Sequence, residues 1–507
     1  MLAGVATFAL EGVDSVEVTV EVDLRRGLPA FTVVGLPDPA VREARERVRA
    51  ALLNSGLEFP AKRVTANLAP AHLRKAGASF DLALAVGVLA ASGQVPREAL
   101  ERTAVCGELS LGGGLRPVRG ALAIAFGARR DGYERLLVPV ENAAEAALVE
   151  GLEALGVPDL RRLVDLLHGR WEAPPPTSEP RRRERGPPGL DLSDVRGQAD
   201  AKRALEIAAA GGHNLLMVGP PGAGKTMLAR RLPGILPAPT HDEAVEITRI
   251  LGVAGLAMGG LATERPFRAP HHTISASGLV GGGATPRPGE ITLAHRGVLF
   301  MDELAEFSRA ALEALRQPLE DGQIVVTRGQ RTLTFPARVM LVAACNACPC
   351  ARPHGECICN DLDRARYGRR LSGPLLDRID LVCELGAAKA LELAGEAQDP
   401  AEESASVRRR IVAARGRQGV RLAGTGAICN GDMDVRLVRR HVRLGRSARA
   451  RLALAADSRR ALTARGHDRV LRLARTIADL AGRDAVGPDD VDEALGFRLL
   501  DPTRAAA

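Results

Sequence analysis

Residues 214–226 read NLLMVGPPGAGKT, and this stretch leaves the chain fewer choices than any other. The run Leu215-Leu216-Met217-Val218 has the length and unbroken hydrophobicity of a strand buried in a parallel sheet. Gly219, Pro220, Pro221, Gly222, Ala223, Gly224, Lys225 and Thr226 then fit G-x-x-x-x-G-K-[ST], and Met227-Leu228-Ala229-Arg230 enters a helical pattern. Strand, glycine-rich loop and helix in that order make a cradle for a triphosphate. The glycines let backbone N–H groups turn inward, Lys225 reaches the outer phosphates, and the Thr226 hydroxyl is placed to ligate Mg²⁺. ATP and Mg²⁺ are the cofactors this loop calls for.

Other strand ends supply what such a loop lacks. Residues 297–303, GVLFMDE, form an apolar strand ending in two carboxylates. Asp302 is expected on the Mg²⁺ shell and Glu303 on the attacking water. Residues 338–344, RVMLVAA, form a further strand that ends in Cys345 and Asn346. Asn346 either orients that water or is an ordinary strand-end turn residue. Upstream, Gln198 closes a lead-in that precedes a helix and is expected beside the adenine. Residues 319–335 read as a hairpin with Arg328 and Arg331 near its tip, which either grips a nucleic-acid backbone or is simply solvated.

At 507 residues the chain has room for about three domains. The expected fold class is α/β: an α+β unit over 1–170, a Pro/Arg-rich linker over 171–190, a parallel-sheet nucleotide-binding core over 191–385, and a helical unit over 386–507. No apolar run reaches the roughly 18 residues of a membrane span, and the alternating first residues lack a basic leader, so a cytoplasmic protein is expected. Net charge is +8, and residues 401–507 carry 22 Arg and no Lys against 13 Asp and Glu, so the positive excess lies there. Such a balance permits a polyanionic partner.

Four of the eight cysteines fall within 348–359. Two C-x-C pairs, Cys348 with Cys350 and Cys357 with Cys359, offer four thiolates to tetrahedral Zn²⁺ and would pin a loop, 345–360, too short for a core of its own. His354 or Cys345 could replace one ligand, and reduced, unliganded thiols are the alternative.

The runs RPFRAPHH (265–272), GGG (281–283), PGEI (288–291), HRG (295–297) and LSGPLLDRID (371–380), with GLPD (35–38) and ARTIADL (474–480), resemble the YifB/ComM family of magnesium-chelatase-like AAA+ proteins. The resemblance runs through all three units. It implies a Lon-protease-like first unit, an AAA+ core in which Asn346 ends the sensor-1 strand, and a helical lid. It also implies a homo-hexameric ring with nucleotide sites between subunits. Leu375-Leu376-Asp377-Arg378 is similar to the segment bearing the arginine finger in magnesium chelatases and minichromosome-maintenance helicases, so Arg378 is the expected finger. A salt bridge to Asp377 or Asp380 is the structural alternative. By the same likeness Arg465 is the expected sensor 2, with Arg469 and Arg472 on the same helix. His271 and His272 fall in a loop insertion without a ligand role.

In the first unit Ser79 aligns with the nucleophile of Lon, but Leu122 stands where the paired lysine should be, which implies a non-proteolytic platform. The function implied is an ATP-hydrolysing motor on single-stranded or branched DNA, a helicase or branch-migration factor in recombination or natural transformation. The alternative is a chelatase-type ATPase that remodels a protein partner.

Overall fold

The computed structural model describes all residues except 37, 74, 76, 177–189, 257–259, 284–285, 329–330, 353–356, 387–401, 458–462 and 499–507. Most of the expected linker lies outside the described residues. Contacts divide the chain into two units, Met1–Arg181 with His241–Ala262, and Arg182–Thr240 with Thr263–Ala507. Among the described residues no helix is long and apolar enough to cross a membrane.

The first unit is a mixed seven-stranded sheet in the order Ala30–Val34, Arg63–Ala69, Asp14–Arg25, Leu2–Glu11, Thr103–Val105, Arg135–Pro139, Glu153–Val157. Leu2–Glu11 pairs antiparallel along its whole length with Asp14–Arg25, and the alternation of the latter puts Val18, Val20 and Val22 in the core. The helix Asp81–Ser92 is apolar on every side and buried from Asp81 to Ala91. It approaches the sheet through Gly87, where an added Cβ would stand 2.6 Å from Val22 Cγ2. Pro39–Asn54, opened by Asp38 as N-cap and Pro39 in the first turn, covers the same core.

The helix His241–Val253 lies in sequence within the expected nucleotide-binding core, yet it folds with the first unit. Arg249 pairs with Asp14 at 3.1 Å, and Gly252 O accepts the Gly120 N–H at 3.0 Å. A boundary drawn from composition at 191 misses this excursion.

The second unit is built on a five-stranded parallel sheet in the order Phe267–Arg268, Val298–Met301, Met340–Cys345, Leu215–Val218, Leu381–Glu384. Its three middle strands are buried at every position, as their unbroken apolar runs require. Asn214 ties the N-terminal ends together. Its side chain donates to Arg378 O and accepts from Leu341 N, at 2.9 and 2.8 Å, while its own N–H donates to Asp380 Oδ2 at 2.9 Å.

The helices Ser404–Leu422 and Ala464–Leu480 share one hydrophobic cluster with this sheet and with the helix Ala199–Gly211. Several lid arginines are internal ties. Asp479, fully buried, pairs with the equally buried Arg475 at 3.0 Å and accepts from Arg421 and Asn430, both at 2.9 Å. Removing that carboxylate leaves the Arg475 and Arg421 guanidiniums without their charge partner, with only carbonyl and amide oxygens to accept from them. Asp479→Ala is therefore expected to cost about 3–5 kcal/mol in urea unfolding of the full chain; a loss below ~1 kcal/mol would mean that packing alone holds the lid.

Candidate nucleotide site

Parallel register sets the geometry of the site. Val218 pairs with Cys345 and Met301 with Ala343, so Gly219, Asp302 and Asn346 leave their strands side by side. Gly222 and Gly224 have φ of 76° and 91°, the left-handed conformation that lets the loop turn back before the helix Lys225–Ala229. Lys225 is buried, and its ammonium donates to Gly219 O at 2.6 Å, Pro220 O at 2.9 Å and Asn346 Oδ1 at 3.1 Å. Burial lowers its pKa. The structure thus brings Asn346 directly onto the loop lysine.

The Thr226 hydroxyl donates to Asp302 Oδ2 at 2.6 Å, and the Glu303 N–H donates to Asp302 Oδ1 at 3.0 Å. Glu303 has a φ of 51°, so the chain turns sharply after the strand and sends the second carboxylate away from the first. That carboxylate meets His272 Nδ1 at 3.1 Å. His272 lies with its ring 4.1 Å from that of His271 and edge-on to Phe307 at 6.4 Å. The histidine pair is thus at the acidic pair, a role its sequence context does not reveal. A hydroxyl and a carboxylate beside a phosphate loop are hard oxygen donors of the kind Mg²⁺ takes, few in number because the ion keeps water and phosphate ligands as well.

Gln198 also adopts the left-handed conformation, with φ 54°. Its side-chain amide donates to Gly386 O at 3.0 Å and Ala223 O at 3.4 Å, bridging the phosphate loop to the segment after the last strand.

Arg378 sits at the other end of the sheet. Its carbonyl is held by Asn214, about 16 Å along the strand from Gly219 at ~3.3 Å per residue. Neither Asp377 nor Asp380 receives its guanidinium. Instead Arg378 donates to Arg316 O at 3.0 Å, to Pro374 O at 2.7 Å and to the Glu320 carboxylate. Arg465, largely exposed, reaches the same Glu320 at 3.2 Å. Burial, then the like charges of Arg465 and Arg316, lower the Arg378 pKa. The neighbouring lid arginines are otherwise engaged: Arg469 with Asp380 at 3.3 Å, and Arg472 with Gly431 O at 3.1 Å.

The sulfurs of Cys348, Cys350, Cys357 and Cys359 lie within 4.8 Å of one another, with Cys348 to Cys350 at 3.3 Å and each of these to Cys357 at 3.6 Å. Tetrahedral zinc at ~2.3 Å from each sulfur sets neighbours about 3.8 Å apart, so the spacing fits. Cys350 receives the backbone N–H groups of Arg352 and Ile358, which lower its pKa to about 6. Arg364 donates to Cys357 at 3.5 Å. Cys345 ends the buried strand apart from this cluster, with its thiol pushed up to about 12 by burial, and His354 lies outside the described residues.

Two of the expected features border on residues outside the described ones. The hairpin Gln323–Arg328 and Arg331–Pro336 is present, with Arg328 paired to Arg331. Its tip, 329–330, and the side chains of both arginines lie outside the described residues. In the first unit Ser79 sits in the 3₁₀ turn Ala78–Phe80, and Leu122 is fully buried with its N–H on Glu145 Oε1 at 3.2 Å.

Three family models match: magnesium chelatase, subunit ChlI, over residues 191–393; subunit ChlI of Mg-chelatase over 20–142; and its C-terminal model over 401–498. The chain is 43% identical to the Escherichia coli protein YifB, over 99% of this chain and 97% of that one. It is also 43% identical to the competence protein ComM of Haemophilus influenzae, over 98% of both. Lon protease 2 of Bacillus subtilis is 29% identical over 141 residues, 26% of each chain.

Lys225→Ala is expected to weaken binding of a fluorescent ATP analogue by about tenfold or more, roughly 1.4 kcal/mol per decade. Undiminished affinity would locate the phosphates elsewhere.

Proposed function

Because the chain belongs to the YifB/ComM family of magnesium-chelatase-like ATPases, we propose that it is an AAA+ motor that hydrolyses ATP between the subunits of a homo-hexameric ring and works on single-stranded or branched DNA as a helicase or branch-migration factor. The observation that carries this reading is the separation of parts. Lys225, Asp302, Glu303 and Asn346 gather at one end of the sheet, while Arg378 and Arg465 meet on Glu320, with the Arg378 backbone held at the other end. An arginine whose backbone is held at the far end of the sheet, with its guanidinium on Arg316, Pro374 and Glu320, supports a role at a neighbour's phosphate loop.

Thr226 and Asp302 would hold Mg²⁺, which supplies charge neutralisation to the phosphates when bound. Lys225 holds the outer phosphates and Asn346 faces the terminal one. Glu303 polarises the attacking water, and His272 positions it by fixing one carboxylate oxygen. Arg378, with Arg465 as sensor 2, stabilises charge that develops on the neighbour's transferring phosphoryl group.

DNA as substrate is supported by the net charge of +8, the arginine-rich lid and the basic hairpin, and by a relative named for competence. We place the protein in the cytoplasm, in recombination or natural transformation. The first unit, with Leu122 at the position of a catalytic lysine, serves as a non-proteolytic platform. A chelatase-type motor acting on a protein partner is the competing reading, favoured by the magnesium-chelatase models that cover the chain.

ATP turnover is expected to rise about tenfold with single-stranded or branched DNA and to vanish in Lys225→Ala; a rate indifferent to every DNA form would favour the protein-remodelling motor. Arg378→Ala is expected to keep nucleotide affinity and lose a factor of about 10³ or more in kcat. Mixing it with Lys225→Ala should restore activity at seams where an intact loop meets an intact finger. Full turnover by isolated protomers, or by Arg378→Ala alone, would refute the shared site.

A further inference from the structure

Asn346 is held from two directions, and both lead to the cysteine cluster. Along the chain, only Ala347 separates it from Cys348, the one buried thiol of the four. On the far side of the cluster, Cys359 is followed by Asn360, which caps the helix Asp361–Gly368 in a reciprocal box with Asp363. That helix turns two side chains inward. Arg364 donates to Cys357 Sγ at 3.5 Å, and the buried Tyr367 brings its hydroxyl beside the backbone N–H of Asn346. Strand end, thiols, capped helix and tyrosine thus close a circuit on one asparagine, whose side-chain oxygen meets Lys225 at 3.1 Å.

We propose that the four thiolates bind one zinc ion, and that the ion is a positioning element of the ATPase site: it fixes the helix Asp361–Gly368 against the strand end and thereby holds Asn346 in register with the phosphate loop. The part that concerns Asn346 rests on the reading of that residue as the group facing the terminal phosphate. Four sulfurs gathered within 4.8 Å on two short C-x-C turns are arranged as a tetrahedral ion would hold them, and an ion bound there would offset the mutual repulsion of the thiolates. The Arg364 guanidinium on Cys357 Sγ is an outer partner of the kind a thiolate-bound ion needs. Lys225 keeps its bonds to Gly219 and Pro220 whatever becomes of Asn346, so nucleotide binding and turnover should separate.

The test uses the full-length protein. Elemental analysis is expected to give about one zinc per chain, released by a thiol-blocking mercurial in step with a colorimetric zinc dye. The double variant Cys357→Ser, Cys359→Ser should lose the zinc, keep its affinity for a fluorescent ATP analogue within about twofold, and lose about tenfold or more in kcat. Tyr367→Phe keeps every thiol; it should retain zinc and lower kcat without changing KM, and combining it with Asn346→Ala should cost no more than Asn346→Ala alone. Protein that neither carries nor takes up zinc would overturn the metal site. An active enzyme whose kcat ignores both zinc loss and Tyr367→Phe would overturn the positioning role. A wild-type protein that holds zinc and binds nucleotide yet turns nothing over would instead sink the ATPase reading.

Discussion

Parallel pairing is the constraint on which the second unit depends. Leu215–Val218, Val298–Met301 and Met340–Cys345 run the same way in fixed register, so the residue after each strand emerges on the same edge. A lysine loop, an acidic pair and an amide are thereby delivered to one place from three segments spread over more than a hundred residues of chain. A slip of one residue in any strand would turn its buried side chains to the opposite face and move its terminal residue out of reach. Asn214, bonded to the neighbouring strand and to the residues that open the next, holds the opposite edge and resists such a slip.

What could be read in the residues was whatever local periodicity and short motifs encode. The phosphate loop, the acidic strand end, the amide-ended strand and the two C-x-C pairs each declare themselves within a dozen residues. The helices Pro39–Asn54 and Asp81–Ser92 belong to the same class of local signal, because amphipathic or wholly apolar patterns leave few alternatives. Contacts between distant loops were not legible. His272 reaches Glu303 only because Glu303 takes a left-handed turn, and nothing in the sequence announces that conformation for a glutamate. The meeting of Arg378 and Arg465 on Glu320 joins three separate helical segments, and acidic residues nearer in sequence, Asp377 and Asp380, were the obvious partners.

The arginine-rich lid shows that composition overstates, without reversing, the charge a surface carries. Arg475 and its partner Asp479 are fully buried, and Arg469 is nearly so. An internal guanidinium is tolerated where a carboxylate and several carbonyls meet it, and each such pair removes charge from the outer face. The helix His241–Val253 gives a similar lesson about boundaries, since its buried side, with Ala244, Ile247 and Ile250, folds with the first unit although its neighbours in sequence belong to the second.

Glu320 has one carboxylate and two guanidiniums to satisfy. Two guanidiniums on one carboxylate leave that patch with an excess of positive charge, so an anion arriving from outside would meet cations already held in place by their own chain.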